Sequence, residues 1–249
     1  ALGHASNAVH DLNRTILEIA QQRFPHQWTE LVPGPIGLAT WIGYDMDGRT
    51  DIGWESVIGH RLHEKALRLD LYTSQLEALG PEAKDLAEQM AHYRDRAHHH
   101  VEMFSQDLST PEKLTEAANA LTEDSDNLVR LDDVIDQLSK LITSPASPEL
   151  ALDAAALRAD MKLFALGMGE VHFRLNAAQV RHAARSLLDL SAEEDLFGRG
   201  PLEDISQLIN NVKPVEVNFR SLAIEQGAST RLFIAMAQIL KHIDAASPI

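Results

Sequence analysis

The sequence predicts a predominantly α-helical chain with about three short parallel strands. Three observations lead there. Ala and Leu dominate an apolar content of 45%, and only 5% of residues are aromatic, a balance that favours helix packed on helix. Apolar residues recur at helical spacing through most of the chain. Three short runs, 37–43, 170–176 and 231–236, read as strands instead, and the helical segments between them imply parallel crossovers.

In chain order, residues 5–24 form the first expected helix, capped by Ser6, with Val9, Leu12, Ile16, Leu17 and Ile19 or Ala20 at helical spacing. Pro25, Pro33, Gly34 and Pro35 punctuate a loop. The run from Gly37 to Gly43 is short and mostly apolar, as in a buried parallel strand. A polar loop follows, from Tyr44 to Thr50. A long helix is expected over 54–79, stopped by Gly80-Pro81, and another from Pro81 to about Ser105. Thr110-Pro111 and Ser147-Pro148 each place a capping side chain before a proline at the first helical position. Residues 126–142 carry an amphipathic pattern through Leu128, Leu131, Val134, Ile135, Leu138, Leu141 and Ile142.

In 171–176 the alternation is strict. Val171, Phe173 and Leu175 face one way; His172, Arg174 and Asn176 face the other. Helices are expected over 177–190 and 202–211. Residues 215–219 suit either a short strand or a helix start. The run 231–236 reads as the third strand, with a last helix over 238–245. No repeat or linker divides the chain.

Several function classes are excluded. Lys and Arg number 22 against 37 Asp and Glu, a net charge of −15. That argues against nucleic acid as partner and against anionic membrane surfaces. Cysteine is absent, which removes disulfides and thiol nucleophiles. The apolar stretch from Leu232 to Leu240 is too short to cross a bilayer, and the Ala-Leu-Gly-His start lacks a secretory leader, so a cytoplasmic protein is expected.

The loop at 43–49 follows a strand, where α/β proteins bind ligands. Asp45, Asp47 and Arg49 there suit an anion or a metal, or a simple hydrogen-bonded turn. A calcium loop is rejected, because Ser56 stands where the twelfth-position glutamate belongs. Three polar side chains on one strand face (His172, Arg174, Asn176) need a cleft, partners or water. Histidine occurs 12 times, but His60, His63, His92 and His98–His100 lack a zinc-protease spacing and read as solvated helix faces. Leu196 to Pro201 reads as an inter-helix loop, not a phosphate loop.

Three segments carry a resemblance to a known family. Trp41-Ile42-Gly43-Tyr44-Asp45-Met46-Asp47-Gly48-Arg49-Thr50 resembles the Trp-Met-Gly-Gly-Asp-Arg-Asp-Gly-Asn-Pro signature of phosphoenolpyruvate carboxylases. The strand at 171–176 with Arg181-His182 is similar to the family's Ile-Asp-Ile-Arg-Gln-Glu-Ser-x-Arg-His segment. Residues 226–237 resemble its Gln-Gly-Ser segment and Tyr-Val-Ile-Ser-Met-Ala strand.

The resemblance implies a single partial domain over 1–249, a fragment covering an early part of a (β/α)8 barrel, with a helical insert over about 80–166. It also implies a helix over 215–225. The parent activity it implies is carboxylation of phosphoenolpyruvate by bicarbonate, giving oxaloacetate and phosphate, with Mg or Mn in the full-length family. The family's catalytic histidine segment is expected before Ala1, and its metal carboxylates and glycine-rich loop after Ile249. No ion is therefore expected on this chain, and the isolated chain is expected to be inactive. Catalytic roles fall to Asp45, Asp47, Arg49 and Arg174. Substrate binding falls to His172, Asn176 and Arg181. A homo-oligomer is compatible with this reading.

The signature is altered in places. Met46 replaces its arginine, and Arg174 and Asn176 replace an aspartate and an arginine. Methionine cannot supply the charged fork that grips an oxyanion. The rival is a non-catalytic helical binding or regulatory protein that kept the fold.

Overall fold

The computed structural model describes residues 2–44, 52–173, 176–191, 193–211, 218–225 and 227–247. Helices make up most of them. α1 (Leu2–Arg23) is followed by the two-residue strand β1 (Ala39–Thr40) and by α2 (Trp54–Ala78). Then come α3 (Lys84–Phe104), α4 (Pro111–Thr122), α5 (Asp132–Thr143) and α6 (Pro148–Phe164). β2 (Glu170–Val171) precedes α7 (Ala177–Leu187), α8 (Arg199–Asn210), α9 (Phe219–Ile224) and α10 (Ala228–His242).

α2 buries 13 of its 25 residues and keeps an exposed stripe through Ser56, His63, Leu67 and Ser74. Its C-terminal half packs with α1, α3, α5 and α6 through Leu69, Leu76, Met90, Leu138 and Leu157. Its N-terminal half joins a second apolar cluster with α4, α9, α10 and Val171, through Trp54, Ile58, Leu121, Phe219 and Ile239. Two predicted caps form as the sequence indicates. Thr110 accepts from the Lys113 amide and Ser147 from the Leu150 amide.

β1 and β2 pair in parallel, Ala39 opposite Glu170 and Thr40 opposite Val171. Adjacency and direction agree with expectation, but both strands are shorter than the runs 37–43 and 170–176. β1 ends because the chain turns at 41–44, and Asn176 starts a helix.

The third expected strand is a correction: 231–236 lies inside α10. Leu232, Ala235 and Ile239 are all buried, at helical spacing, and one helix face covers the core where a strand would split them between two faces. Three smaller corrections follow. Ser6 is not a cap but lies inside α1, buried, accepting from Arg68. α5 starts at Asp132, not 126, because Asp124 turns the chain by accepting from the Asp126 amide. α8 begins at Arg199, with Gly198 as its cap, so part of the expected 196–201 loop is helical. The segment 219–224 is helical, while 212–217 lie outside the described residues.

Candidate functional site

Both strands deliver their C-terminal ends to one edge. The His172 amide donates to Thr40 O at 2.9 Å, the last rung of the ladder. Beyond β1 the chain turns at once, and the Tyr44 amide donates to Trp41 O at 3.1 Å. The third residue of that turn is Gly43, with φ of 87°, a conformation only glycine adopts freely. A Cβ there would also stand 2.9 Å from Cδ2 of His60.

Tyr44 is fully buried, and its ring meets the rings of His60 and Phe173 edge-on, each at 5.3 Å. Its hydroxyl donates to Glu64 Oε2 at 3.0 Å. Arg61 Nη1 donates to the same oxygen at 2.9 Å. Arg61 Nη2 donates to Asp244 Oδ2 and Ser247 Oγ, both at 2.6 Å. Burial, reinforced by the Glu64 charge, pushes the Tyr44 hydroxyl far above the ordinary phenol range, so it stays a donor. Burial pulls Glu64 upward too, but His60 and Arg61 outweigh it and hold the carboxyl below its usual range. His60 Nε2 stands 3.4 Å from Glu64 Oε1.

Of the candidate residues, Asp45, Asp47, Arg49 and Arg174 lie outside the described residues. His172 is exposed beside Glu170 at 3.5 Å. The expected alternation holds as far as it is described: Val171 is buried, His172 exposed, and Phe173 packs on the second apolar cluster. Asn176 caps α7, its Oδ1 accepting from the Ala178 amide at 2.8 Å. Arg181 lies exposed on α7 and donates to Ala177 O. Its neighbour His182 lines an open groove of about 860 Å³ with Gln179, Ser186, Glu225 and Thr230.

Sequence reasoning missed the ionic stripe on α2. Arg61, Glu64, Lys65 and Arg68 are all buried. Arg68 donates to Gly167 O at 2.7 Å and to Ser6 Oγ, with its guanidinium 4.2 Å from the Phe164 ring centre. Tyr72 donates to Ala165 O at 2.9 Å. Lys65 Nζ donates to Asn127 Oδ1 at 2.8 Å. Burial brings Lys65 down to about 7, although Asp244 and Asp124 pull the other way. The signal was the spacing: positions 61, 64, 65 and 68 share one helix face that neighbouring leucines show to be inward. The histidine reading needs one correction as well. His100 is not solvated; it is buried against Asp124 at 3.0 Å, and burial lowers it to about 4.

Comparison with known proteins adds no relative: no family model, no curated protein and no solved structure matches the chain. Among the described residues, no helix is long and apolar enough to cross a membrane.

Proposed function

We propose that the chain is part of a cytoplasmic phosphoenolpyruvate carboxylase-like barrel whose parent converts phosphoenolpyruvate and bicarbonate to oxaloacetate and phosphate. The observation that carries the proposal is the parallel pairing of β1 with β2. It puts the two motif-bearing segments at one strand edge, with Tyr44, next to Asp45, touching Phe173, next to Arg174. Ligands of parallel α/β sheets bind at that edge. A second support is that α7 and α8 are amphipathic yet bury no residue among those described. Such faces suit helices that pack on further barrel structure.

In this scheme Arg49 and Arg174 hold the phosphate and bicarbonate oxygens, each guanidinium a fork of donors for an oxyanion. Asp45 and Asp47 orient those arginines, while His172 and Arg181 bind substrate from β2 and α7. A magnesium or manganese ion belongs to the proposal as the Lewis acid for the enolate. Among the described residues, no group of three or more histidines and carboxylates is placed to hold one.

One observation favours the rival, a fold retained without chemistry. Asn176, where the family signature has arginine, is spent on capping α7. Calorimetric titration of the 249-residue chain with phosphoenolpyruvate separates the two readings. The carboxylase-like reading expects saturable binding, competed by inorganic phosphate and lost in Arg49→Gln and Arg174→Gln. Absence of binding favours the rival.

A further inference from the structure

We propose that the groove between α7 and α10 binds a short aliphatic monocarboxylate, held by the first turn of α10. The proposal goes beyond the carboxylase-like reading and does not depend on it. The groove measures about 860 Å³ and is lined from α7 by Ala178, His182, Ala183 and Leu187, and from the start of α10 by Ser229 and Thr230. α10 has 15 residues, and Gly227 before it supplies no capping side chain. The Gly227 amide donates to Glu225 Oε1 at 2.7 Å, and the Arg231 amide to Gly227 O at 2.8 Å. Between them, the amides of residues 228, 229 and 230 have no partner among the described residues. Open amides at a helix start favour an anion.

Ser229 points to a ligand independently. It lines the groove yet is only 4% exposed, and its hydroxyl bonds to no described residue. A buried hydroxyl without a partner is costly, and an oxygen seated on the open amides supplies one. Arg231 fixes this end by donating from Nε and Nη2 to Glu225 O. Glu225 sets the charge of the guest. Its carboxylate sits at the same helix end and also lines the groove, so a multiply charged anion meets like charge there. A single carboxylate meets less of it, and still receives the amides, the Ser229 hydroxyl and an N–H of His182. Ala178, Ala183 and Leu187 on the α7 side suit a short alkyl chain, not a second charge. Phosphate and phosphoenolpyruvate are therefore poor guests.

Amide NMR titration of the 249-residue chain tests the proposal, with sodium butyrate, butyramide and inorganic phosphate in separate arms. Ionic strength is held constant and the pH mildly alkaline, where phosphate is a dianion. Butyrate should move the amides of 182 and 228–230 together to saturation. Butyramide, the same shape without the charge, and phosphate should leave them in place. Ser229→Ala removes only the unpartnered hydroxyl, so the melting temperature without ligand should hold. Its butyrate midpoint should rise about tenfold, the worth of one hydrogen bond to a charged group. Glu225→Gln keeps an oxygen for the Gly227 amide and removes the charge, so it should admit phosphate. If Glu225→Gln does not fold, the wild-type arms and Ser229→Ala decide. No saturating butyrate shift at the groove, an equal response to butyramide, or an unmoved Ser229→Ala midpoint would each overturn the proposal. So would wild-type chain that binds phosphate there as tightly as butyrate.

Discussion

At the scale of single residues, the buried ions of α2 make close demands on their neighbours. A Cβ at Gly167 would stand 2.0 Å from Arg61 Nη1, and Arg61 is already fixed by Glu64, Asp244 and Ser247. Gly167→Ala should therefore destabilise the chain by about 1–3 kcal/mol, the usual cost of overpacking, measured by urea unfolding. A neutral result would mean that Arg61 has another place to go. Lys65 supplies a pH dependence. Its folded value is about 7 against 10.5 for the free side chain. Between those values the unfolded chain binds more protons, so stability rises with pH across that window. Lys65→Met should flatten the rise between pH 7 and 10 in unfolding curves, whereas an unchanged slope would contradict the buried position of the ammonium group.

At the scale of elements, most helices were legible because stop signals and periodicity agreed. Gly80-Pro81, Thr110-Pro111 and Ser147-Pro148 marked boundaries within a residue or two. Ser147→Ala should cost about 1 kcal/mol, the typical value of a lost helix cap, by the same unfolding measurement. The stretch 231–236 was not legible, because a short apolar run has the same pattern in a strand and in a buried helix. Only its burial at 232, 235 and 239 decides for helix. Around the candidate site, the parallel strand edge and the alternation at 171–173 were readable. The ionic stripe was not, because a charge at helical spacing ordinarily reads as solvent-facing. α7 and α8 bury nothing among their described residues, so their amides should exchange with deuterium sooner than those of α2 and α6. Equal protection in all four would show that those faces are covered.

At the scale of the whole molecule, one buried ionic centre braces two segments of the chain. The same Arg61 braces Tyr44 through Glu64 and, through Asp244, the turn that leads to β2, since the Leu166 amide donates to Asp244 at 3.1 Å. Under the proposed function the chain supplies one side of a cleft and should make no oxaloacetate by itself. A coupled assay with phosphoenolpyruvate, bicarbonate and magnesium, on protein free of host carboxylase, checks this; turnover above about 1 s⁻¹, ordinary for an enzyme, would contradict the fragment reading.

The central claim is that the edge shared by β1 and β2 receives the substrate. Its most direct test is an amide NMR map of the chain titrated with phosphoenolpyruvate. The account predicts that signals of residues 42–49 and 172–176 move first and together, saturating at one midpoint. No movement there, or first movement in the groove beside His182 or around α4, would contradict it.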